Sequence, residues 1–473
     1  MSTLYEQLAD AMAQRIHDGS LQTGERLPSV RQACAQAQVS PATVFQAYAL
    51  LESRGLIEAR PRSGYYVQKQ ARRHAPPAQA EPAASGSTEV AISELVFGVL
   101  HSTRDRDVVP LGSAFPSPAL FPLDRLARDG ARAMRQLAPQ ALTTELVSGN
   151  ARLREAVRSR SVRQGLPVGP DEPIITNGAM EALNLSLQAV TKPGDVVAVE
   201  APTFYAALQA LERLHLRAVE IPTHPQLGAD PDGLSEVIQH HRVAACWLMP
   251  HFQNPLGALM PNERKQAVMR ALTQAGIPVV EDDVYGELHH GSTRPLPLKA
   301  FDRDGLVLYC SSFSKSLAPG YRVGWALAGR HSHAVQKLKM MSSLATSVPS
   351  QLALAEYLEE GGYDRHLRQL RRTLADSLAR LRQLVLRHFP KGTRVSRPDG
   401  GYFLWVQCPA QVDTLALHHQ ALAHGISTAP GALFSADQRF RSALRLNGGH
   451  PQDARIEPAV QWLGDWARQA MLA

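Results

Sequence analysis

Cysteine and long apolar runs are both scarce in this sequence of 473 residues. The four cysteines are scattered and form no Cys-x-x-Cys pair, which argues against a zinc site or a disulfide framework. No apolar run reaches the roughly eighteen residues that a membrane span needs, and residues 1–10 are too polar and acidic for a secretory signal. Because free cysteines suit a reducing compartment, we expect a cytoplasmic protein and predict no metal site.

A strong excess of one charge is absent from the chain as a whole but not from its first part. The net charge of +7 is small for this length and says little about nucleic acid. Between residues 26 and 73, however, there are eight basic residues and only two acidic ones, Glu52 and Glu58. Phosphate binding needs such a local excess, although a solvated surface would carry it equally well.

Residues 1–68 carry the start and stop signals of a small helical unit. Apolar residues recur at every fourth position from residue 4 to residue 16, which predicts a first helix. Ser29 and Gln32 have the spacing of a capping box at the start of a second helix. Ser40 followed by Pro41 marks the start of a third helix.

The segment after the third helix predicts a hairpin. Two short runs, residues 56–59 and 65–68, flank a turn rich in Gly and Pro at residues 60–64. Helices followed by a hairpin in this order predict a winged helix-turn-helix, with the helix from Ser40 as its recognition helix. A small helical domain with no role in DNA binding would fit the same pattern.

The predicted DNA contacts lie at the start of the recognition helix and at the tip of the wing. The first residues of a recognition helix reach base edges in the major groove, whereas basic residues on a wing reach phosphates or the minor groove. The corresponding residues are Pro41, Ala42, Thr43, Arg60 and Arg62.

Residues 1–68 resemble the DNA-binding domain of GntR-type bacterial regulators. The segments GERLPSVR, VSPATV and LESRGL, which begin at residues 24, 39 and 51, carry the resemblance. It implies that Arg31, Ser40 and Thr43 contact DNA and that the region of Gly64 and Tyr65 forms the wing. Residues 69–90 are rich in Ala, Pro and Ser, cannot bury a core, and are predicted to form a flexible linker.

After the linker, short apolar runs alternate with helical patterns, as in an α/β domain with a mostly parallel sheet. These runs are residues 173–176, 196–199, 243–249, 278–280, 306–310 and 323–328. Functional groups in such a sheet lie at the carboxyl ends of the strands. Polar residues with cofactor chemistry do follow these runs along the chain.

The residues that follow the runs could together hold pyridoxal phosphate. That cofactor needs a lysine for an imine (Schiff base), an acid for the ring nitrogen, donors for the ring oxygen, a stacking ring and a cup for the phosphate. Lys315 supplies the imine, and desolvation together with the nearby cationic Arg322 should lower its pKa. The other candidates are Asp282 for the ring nitrogen, Tyr285 and Asn254 for the ring oxygen, Phe204 for stacking, and Gly178, Ala179, Met180, Ser312, Ser314 and Arg322 for the phosphate.

This order of residues resembles the fold-type I pyridoxal phosphate enzymes of the aspartate aminotransferase group, from about residue 111 to the C-terminus. The resemblance implies the roles given above and favours Asp282 over Asp283 and Phe204 over Tyr205. It also implies that Arg445 pairs with the α-carboxylate of a substrate or effector, which suits a guanidinium fork. Without the family, Arg445 would read as an ordinary surface arginine.

The chain departs from the aminotransferase pattern at Thr144. The family usually has a tyrosine there that reaches across the dimer to the cofactor phosphate, so one contact between subunits is in doubt. We predict that residues 91–473 form the aminotransferase-like domain, with a larger part at about 140–335 and a smaller one at about 345–473.

A winged helix followed by a linker and a fold-type I domain resembles the MocR-type regulators over the full chain. The resemblance implies a homodimer, usually head-to-tail, that binds double-stranded operator DNA. We expect a transcriptional regulator that senses pyridoxal phosphate itself, or an amino acid or amine, through an imine at Lys315. The alternative is an active aminotransferase that carries a DNA-binding appendage.

Overall fold

The computed structural model describes residues 4–17, 20–22, 24–53, 56–60, 63–67, 76–79, 86–102, 107–137, 139–140, 143 and 147–472. The chain divides into two compact units, residues 1–75 and 76–473. Arg62, Thr144 and the linker residues 69–75 and 80–85 lie outside the described residues. Within the described ranges, no helix is long and apolar enough to cross a membrane.

The first unit contains helices followed by a hairpin, in the predicted order. Its elements are α1 (Leu4–His17), α2 (Val30–Ala37), α3 (Pro41–Ser53), β1 (Ile57–Arg60) and β2 (Gly64–Val67). The two strands pair antiparallel, with Ile57 opposite Val67 and Arg60 opposite Gly64. The unit has its own apolar core, formed by residues of all three helices and both strands.

Local capping and one buried hydrogen bond fix the recognition helix α3. Ser29 and Gln32 form the predicted capping box before α2, and the Ser40 hydroxyl accepts a hydrogen bond from the backbone N–H of Thr43 at 3.2 Å. Tyr48 is fully buried, and its hydroxyl donates to the Pro28 backbone oxygen at 2.6 Å. Because one face of α3 is anchored in this way, its opposite face is held in a defined orientation toward solvent.

The second unit is an α/β unit built on two sheets. Its helices are α4 (Ser93–Ser102), α5 (Leu123–Arg135), α6 (Ala151–Arg163), α7 (Ala179–Val190), α8 (Tyr205–Arg213), α9 (Pro231–His240), α10 (Asn262–Ala275), α11 (Ser332–Ser342), α12 (Val348–Glu359), α13 (Gly362–His388), α14 (Thr414–Ala423) and α15 (Ile456–Gln469). The strands of the larger sheet are β3 (Thr88–Glu89), β4 (Pro173–Thr176), β5 (Val196–Ala201), β6 (Arg217–His224), β7 (Gly228–Ala229), β8 (Val243–Leu248), β9 (Val279–Asp282), β10 (Val307–Ser312) and β11 (Gly324–Leu327). The smaller sheet contains β12 (Arg394–Val395), β13 (Phe403–Gln407), β14 (Ala429–Pro430) and β15 (Ala443–Asn447).

The larger sheet is mostly parallel, as predicted. Its strand order is β3-β6-β5-β8-β9-β10-β11-β4, and β7 pairs with β6. Strands β6, β5, β8, β9 and β10 are parallel, whereas β11 runs antiparallel to both of its neighbours. Two apolar clusters cover this sheet, with Val199 and Leu308 in one and Ala198 and Val307 in the other. Successive residues of a strand thus point to opposite faces, which are both buried.

The smaller sheet is antiparallel and recruits a distant segment of the chain. Its strand order is β12-β13-β15-β14. Val109 forms a parallel bridge with Ile426, and Val109 and Leu111 are buried in the same apolar cluster as β13 and β15. Residues just after 111 are thereby held against the smaller sheet. The proposed bounds of the two parts of this unit stay predictions.

Candidate ligand site and DNA-binding surface

The predicted cofactor residues lie at one edge of the larger sheet. Asp282 and Ser312 are the last residues of β9 and β10, and Asn254 lies in the loop after β8. Phe204 and Gly178 begin the helices that follow β5 and β4. Because these five strands run in the same direction, their carboxyl ends meet at this edge.

The amine of Lys315 is enclosed at this edge. The residue keeps some accessible surface, but its Nζ donates to the Ala114 backbone oxygen at 2.8 Å and lies 3.7 Å from the centre of the Phe115 ring. Burial lowers the pKa of Lys315 to about 7, and the positive charge of Arg445 adds to this effect. Asp282 opposes the shift, while Arg322, the cation named from the sequence, contributes least. A lysine with this pKa is largely an unprotonated nucleophile just above neutral pH.

The lowered pKa of Lys315 predicts how the cofactor-free protein takes up pyridoxal phosphate. The rate of adduct formation should rise as the pH rises through about 7, because only the unprotonated amine reacts. One pH unit below the pKa, about one amine in ten is unprotonated, so the rate should fall roughly tenfold there. Stopped-flow absorbance between pH 5.5 and pH 9 measures this rate of adduct formation. A rate that keeps rising toward pH 10, as for an ordinary lysine, would contradict the prediction.

The adjacent carboxylates Asp282 and Asp283 have opposite surroundings. Asp283 accepts hydrogen bonds from His251 Nδ1 at 2.8 Å, Arg294 at 2.5 Å and the Tyr309 hydroxyl at 2.8 Å. These partners, with His251 and Arg294 the strongest, hold the pKa of Asp283 far below its usual range despite burial. Asp282 is equally buried, but neither of its carboxylate oxygens has a well-aligned hydrogen-bond partner among the described residues. Burial, reinforced by the charge of Asp283, raises the pKa of Asp282 to about 7.

Arg445 is a fully buried residue and not a surface arginine. One terminal nitrogen donates to Asn254 Oδ1 at 2.9 Å, and the other donates to the Gly112 backbone oxygen at 2.8 Å. The guanidinium carbon lies 4.2 Å from the centre of the Phe403 ring. These contacts hold the guanidinium in one plane beside Lys315, and Nε keeps no partner among the described residues.

Tyr285 is buried beside Arg445, Asp282 and Asn254, and its role as a donor to the ring oxygen stays a prediction. Burial raises the pKa of its phenol above its usual range, while the positive charge of Arg445 and the neighbouring amide of Asn254 oppose this effect. Phe204 begins α8 directly after β5, and its ring centre lies 4.8 Å from that of Tyr205. The stacking role assigned to Phe204 stays a prediction.

The predicted phosphate cup is a cluster around the start of α7. Gly178 precedes this helix with a positive φ of 80°, and no side chain caps the helix start. Arg322 donates to Ser314 Oγ at 3.2 Å and to the Asn177 backbone oxygen at 3.4 Å, and Ser312 Oγ accepts from the Ser314 N–H at 3.4 Å. Free amides at a helix start and a guanidinium suit an anion. The amides of Ala179 and Met180 belong to the same turn.

Several buried polar atoms at this edge have no well-aligned hydrogen-bond partner among the described residues. They are both carboxylate oxygens of Asp282, Nδ2 of Asn254, Nε of Arg445 and Oγ1 of Thr203. Buried polar groups in proteins almost always form hydrogen bonds. A polar ligand bound at this edge would provide hydrogen-bond partners for these atoms. A protonated ring nitrogen suits Asp282, a ring oxygen suits Asn254 and a carboxylate suits Arg445. The residues therefore fit pyridoxal phosphate and an amino compound.

The predicted DNA-contact residues lie on one unit, the winged helix. Arg31, Ser40, Pro41, Ala42 and Arg60 are exposed, and Thr43 is half-buried. Ser40 also caps α3, with its hydroxyl 2.9 Å from that of Thr43. Gly64 has a positive φ of 105° and lies against the side chain of Arg26. Arg60 forms an exposed ion pair with Glu58, of a kind that contributes little to stability and leaves the arginine available. Their DNA contacts stay predictions.

A winged helix-turn-helix and an α/β unit with an enclosed lysine at its strand ends define a DNA-binding protein fused to a cofactor-binding domain. Residues 4–67 match the bacterial regulatory proteins of the gntR family, and residues 117–462 match the aminotransferases of class I and II. The chain belongs to the MocR-type regulators, in which these two domains are joined. Pyridoxal phosphate is the cofactor that this aminotransferase domain implies.

Relatives and solved structures support both halves of this assignment. The chain is 46% identical over 460 residues to YdcR of Escherichia coli, an uncharacterized HTH-type transcriptional regulator, covering 97% of this chain and 98% of that protein. LysN, the alpha-aminoadipate aminotransferase of Thermus thermophilus, has a TM-score of 0.73 at 29% identity and covers 81% of this chain and 100% of its own. The kynurenine aminotransferase of Pyrococcus horikoshii has a TM-score of 0.75 at 28% identity, covering 81% and 96%.

The sequence predicts that residues 111–116 supply part of the substrate mouth, but it assigns no role to single residues of this segment. In the structure Ala114 and Gly112 contact Lys315 and Arg445 through carbonyl oxygens, which leave no signal in residue type. Sequence reasoning missed Tyr402, whose hydroxyl donates to the Ala114 oxygen at 3.0 Å. The local signal at Tyr402 is the Gly-Gly-Tyr-Phe sequence at residues 400–403, which assigns no role to the tyrosine.

Proposed function

We propose that this transcriptional regulator controls DNA binding through the ligand held at Lys315. The observation that carries the proposal is the enclosed amine of Lys315, with a pKa of about 7, beside the unpaired Asp282 and the buried Arg445. These groups lie in the same chain as a winged helix-turn-helix. A regulator that acts on DNA in a bacterium would work in the cytoplasm.

The residues of the site have separate tasks toward the cofactor. Pyridoxal phosphate, when bound, supplies an aldehyde that condenses with amines and a ring that accepts electrons. Lys315 provides the amine, and Asp282 holds a proton on the ring nitrogen. Tyr285 and Asn254 hold the ring oxygen, and the start of α7 with Arg322 holds the phosphate.

An amino acid is the effector class that the site suits best. Arg445 is fixed by Asn254 and Gly112 and presents an unpaired Nε, so a carboxylate can bind it with charge-assisted hydrogen bonds. If the amine of such a ligand replaced Lys315 on the aldehyde carbon, the Lys315 amine would be set free. The Ala114 oxygen, which also accepts from the Tyr402 hydroxyl, is an acceptor for that free amine.

The contacts of residues 76–79 suggest how the site could act on the linker. The backbone N–H of Ala78 donates to Gln407 Oε1 at 2.9 Å, and Pro77 is buried. Ala78 lines a cleft of about 330 Å³. Pro202 and Leu256, which follow strands β5 and β8 of the larger sheet, line one part of this cleft, and residues of β13 and β15 in the smaller sheet line another. A movement of the smaller sheet would change this cleft and hence the chain segment that leads toward the winged helix. A ligand can drive this only through different affinities for the two states.

Operator titrations test the proposal. Duplexes selected by the protein from a random library are titrated with cofactor-free protein, with the pyridoxal phosphate form, and with that form plus single amino acids. We expect operator affinity to differ between at least two forms, and Gln407→Ala, which removes the acceptor for Ala78, to reduce the difference. Equal affinities in all forms would contradict the proposal. A response to cofactor alone would identify a cofactor sensor, and a further response to amino acids an amino-acid sensor.

A working aminotransferase is the second candidate function. The completeness of the site favours it, since Lys315, Asp282, Tyr285 and Arg445 are all present and lie together. Steady-state turnover with an amino donor and 2-oxoglutarate would support this function, whereas a single half-reaction would not.

We also propose a head-to-tail homodimer, which light scattering and cross-linking would test.

A further inference from the structure

The recognition helix exposes an apolar side chain on the face that a DNA groove would meet. Its core face is formed by Val44, Ala47, Tyr48 and Leu51, which are all fully buried. The opposite face carries Ala42, Phe45, Gln46 and Ala49, which are all exposed. Their spacing of three, four and seven residues places them on one side of the helix.

Phe45 is unusual for an exposed position. Its side chain is 53% exposed, and among the described residues of the first unit only Leu4, on α1, is a large apolar residue exposed to a similar extent. Phe45 is two residues after Thr43 and so lies within the first two turns of the helix. A large apolar group at the start of a recognition helix has no role in the core of this unit, because the core lies on the other face.

The chemistry of the major groove identifies what this face can read. The C5-methyl group of thymine is an apolar group displayed there, and alanine and phenylalanine side chains contact it. A glutamine can make paired hydrogen bonds with N6 and N7 of adenine. Arg31 and Arg60 are exposed on the same unit and suit phosphates on either side of the groove.

We infer that Phe45 reads a thymine methyl group and that Gln46 reads a neighbouring adenine, so that these two residues set the sequence preference of the recognition helix. Phe45 and Ala42 form an apolar surface on which a thymine methyl packs. Gln46 lies beside them on the same face and is exposed. The inference rests on the DNA-binding role of the winged helix and is independent of any ligand at Lys315.

Removal of single atoms from the DNA tests this inference. The full-length protein first selects duplexes from a random library, and each thymine of the selected site is then replaced by uracil, which lacks only the methyl group. We expect one or two positions in each half-site at which wild type loses about fourfold in affinity, the value for one buried methyl group. In Phe45→Ala, thymine and uracil at those positions should bind equally, whereas Phe45→Leu should retain most of the preference. Leu4→Ala is the matched control and should keep the full preference.

The same design tests Gln46. Replacement of single adenines by 7-deazaadenine removes the N7 acceptor, and wild type should lose about tenfold at one position that adjoins a Phe45-dependent thymine. Gln46→Ala should show no such loss. Thymine-to-uracil changes without effect anywhere in the selected site would overturn the inference, as would a Phe45→Ala variant that weakens all duplexes equally or changes only the oligomeric state. A protein that selects no sequence would instead overturn specific DNA binding itself.

Discussion

Replacing Lys315 with alanine is expected to abolish the covalent adduct with pyridoxal phosphate. The other buried lysines of the described chain have partners that occupy their amines. Lys299 pairs with Glu172 at 2.9 Å, and Lys339 pairs with Glu181 at 3.2 Å. Lys265 donates to the Leu296 backbone oxygen at 2.6 Å, and its Nζ also lies 2.9 Å from the Nε2 atom of the His251 side chain. Of these four lysines, Lys315 is the one whose amine contacts no polar side chain among the described residues. It contacts the Ala114 backbone oxygen and the face of the Phe115 ring, and it lies near Asp282.

Two measurements check the loss of the adduct. The imine absorbance band of the reconstituted protein should disappear, and peptide mass analysis after borohydride reduction should find no modified lysine. Lys337→Ala, at an exposed position of α11, is the matched control and should keep both signals. A borohydride-stable label on any other lysine of the Lys315→Ala variant would show that the assignment of the reactive amine is wrong.

The variant also separates cofactor binding from covalent attachment. The phosphate cup around Arg322 and the carboxylate of Asp282 remain in place when Lys315 is removed, because neither group forms a hydrogen bond with it. Pyridoxal phosphate should therefore still bind, but reversibly and without an adduct. If the covalent adduct controls DNA binding, the affinity of this variant for operator DNA should no longer depend on the cofactor.

Local signals in the sequence were sufficient for the elements and for most of the site residues. The capping box at Ser29 and Gln32 and the Ser40-Pro41 helix start each lie within four residues, and both form as predicted. The runs at residues 278–280 and 306–310 become the buried centre of the sheet. Such signals depend on neighbouring residues only, and for that reason they can be read without the fold.

Strand β6 shows where local signals fail. Pro222 interrupts its pattern, and proline usually argues against a strand within a sheet. In the structure β6 pairs with β5 from Arg217 to Pro222, whereas β3 pairs only with Arg217 and Ala218 and β7 pairs with Thr223 and His224. Pro222 therefore lies between the residues that pair with β3 and those that pair with β7.

The contacts of Arg445 show a second limit. Its partners Asn254 and Gly112 are 191 and 333 residues away in the chain. No local pattern encodes such a pairing, because it arises from the path that brings the smaller sheet against the larger one. Only the family resemblance indicated that Arg445 belongs to the site. The enclosure of Lys315 by Ala114 and Phe115 has the same long-range origin.

The Asp282→Asn substitution should shift stability and cofactor affinity in opposite directions. Without the cofactor, Asp282 is a buried carboxylate whose oxygens have no well-aligned partner among the described residues, and burial raises its pKa from 3.8 to about 7. A group with a raised pKa binds its proton more tightly in the folded state, so the ionised form costs stability above about pH 7. Asparagine removes this charge, and the cofactor-free variant should be more stable by about 1–3 kcal/mol at pH 8. The gain should shrink as the pH falls from 7 toward 4.

Cofactor affinity should respond in the opposite way, because the carboxylate is the partner for the protonated ring nitrogen. Loss of one partner of a buried charge pair costs about 3–5 kcal/mol, which corresponds to a loss of affinity of roughly two to four orders of magnitude. A phosphorylated analogue with carbon in place of the ring nitrogen should bind wild type and variant equally. Thermal unfolding of the cofactor-free proteins and equilibrium titrations measure the two effects.

Asp283→Asn is the control for this prediction, since it makes the same chemical change at the adjacent residue. Asp283 accepts hydrogen bonds from His251, Arg294 and Tyr309, so its neutralisation breaks a buried, fully paired network and should destabilise the cofactor-free protein. The two substitutions should thus change the unfolding temperature in opposite directions. A destabilised Asp282→Asn variant with unchanged cofactor affinity would mean that Asp282 is a structural residue and that the ring nitrogen has another partner.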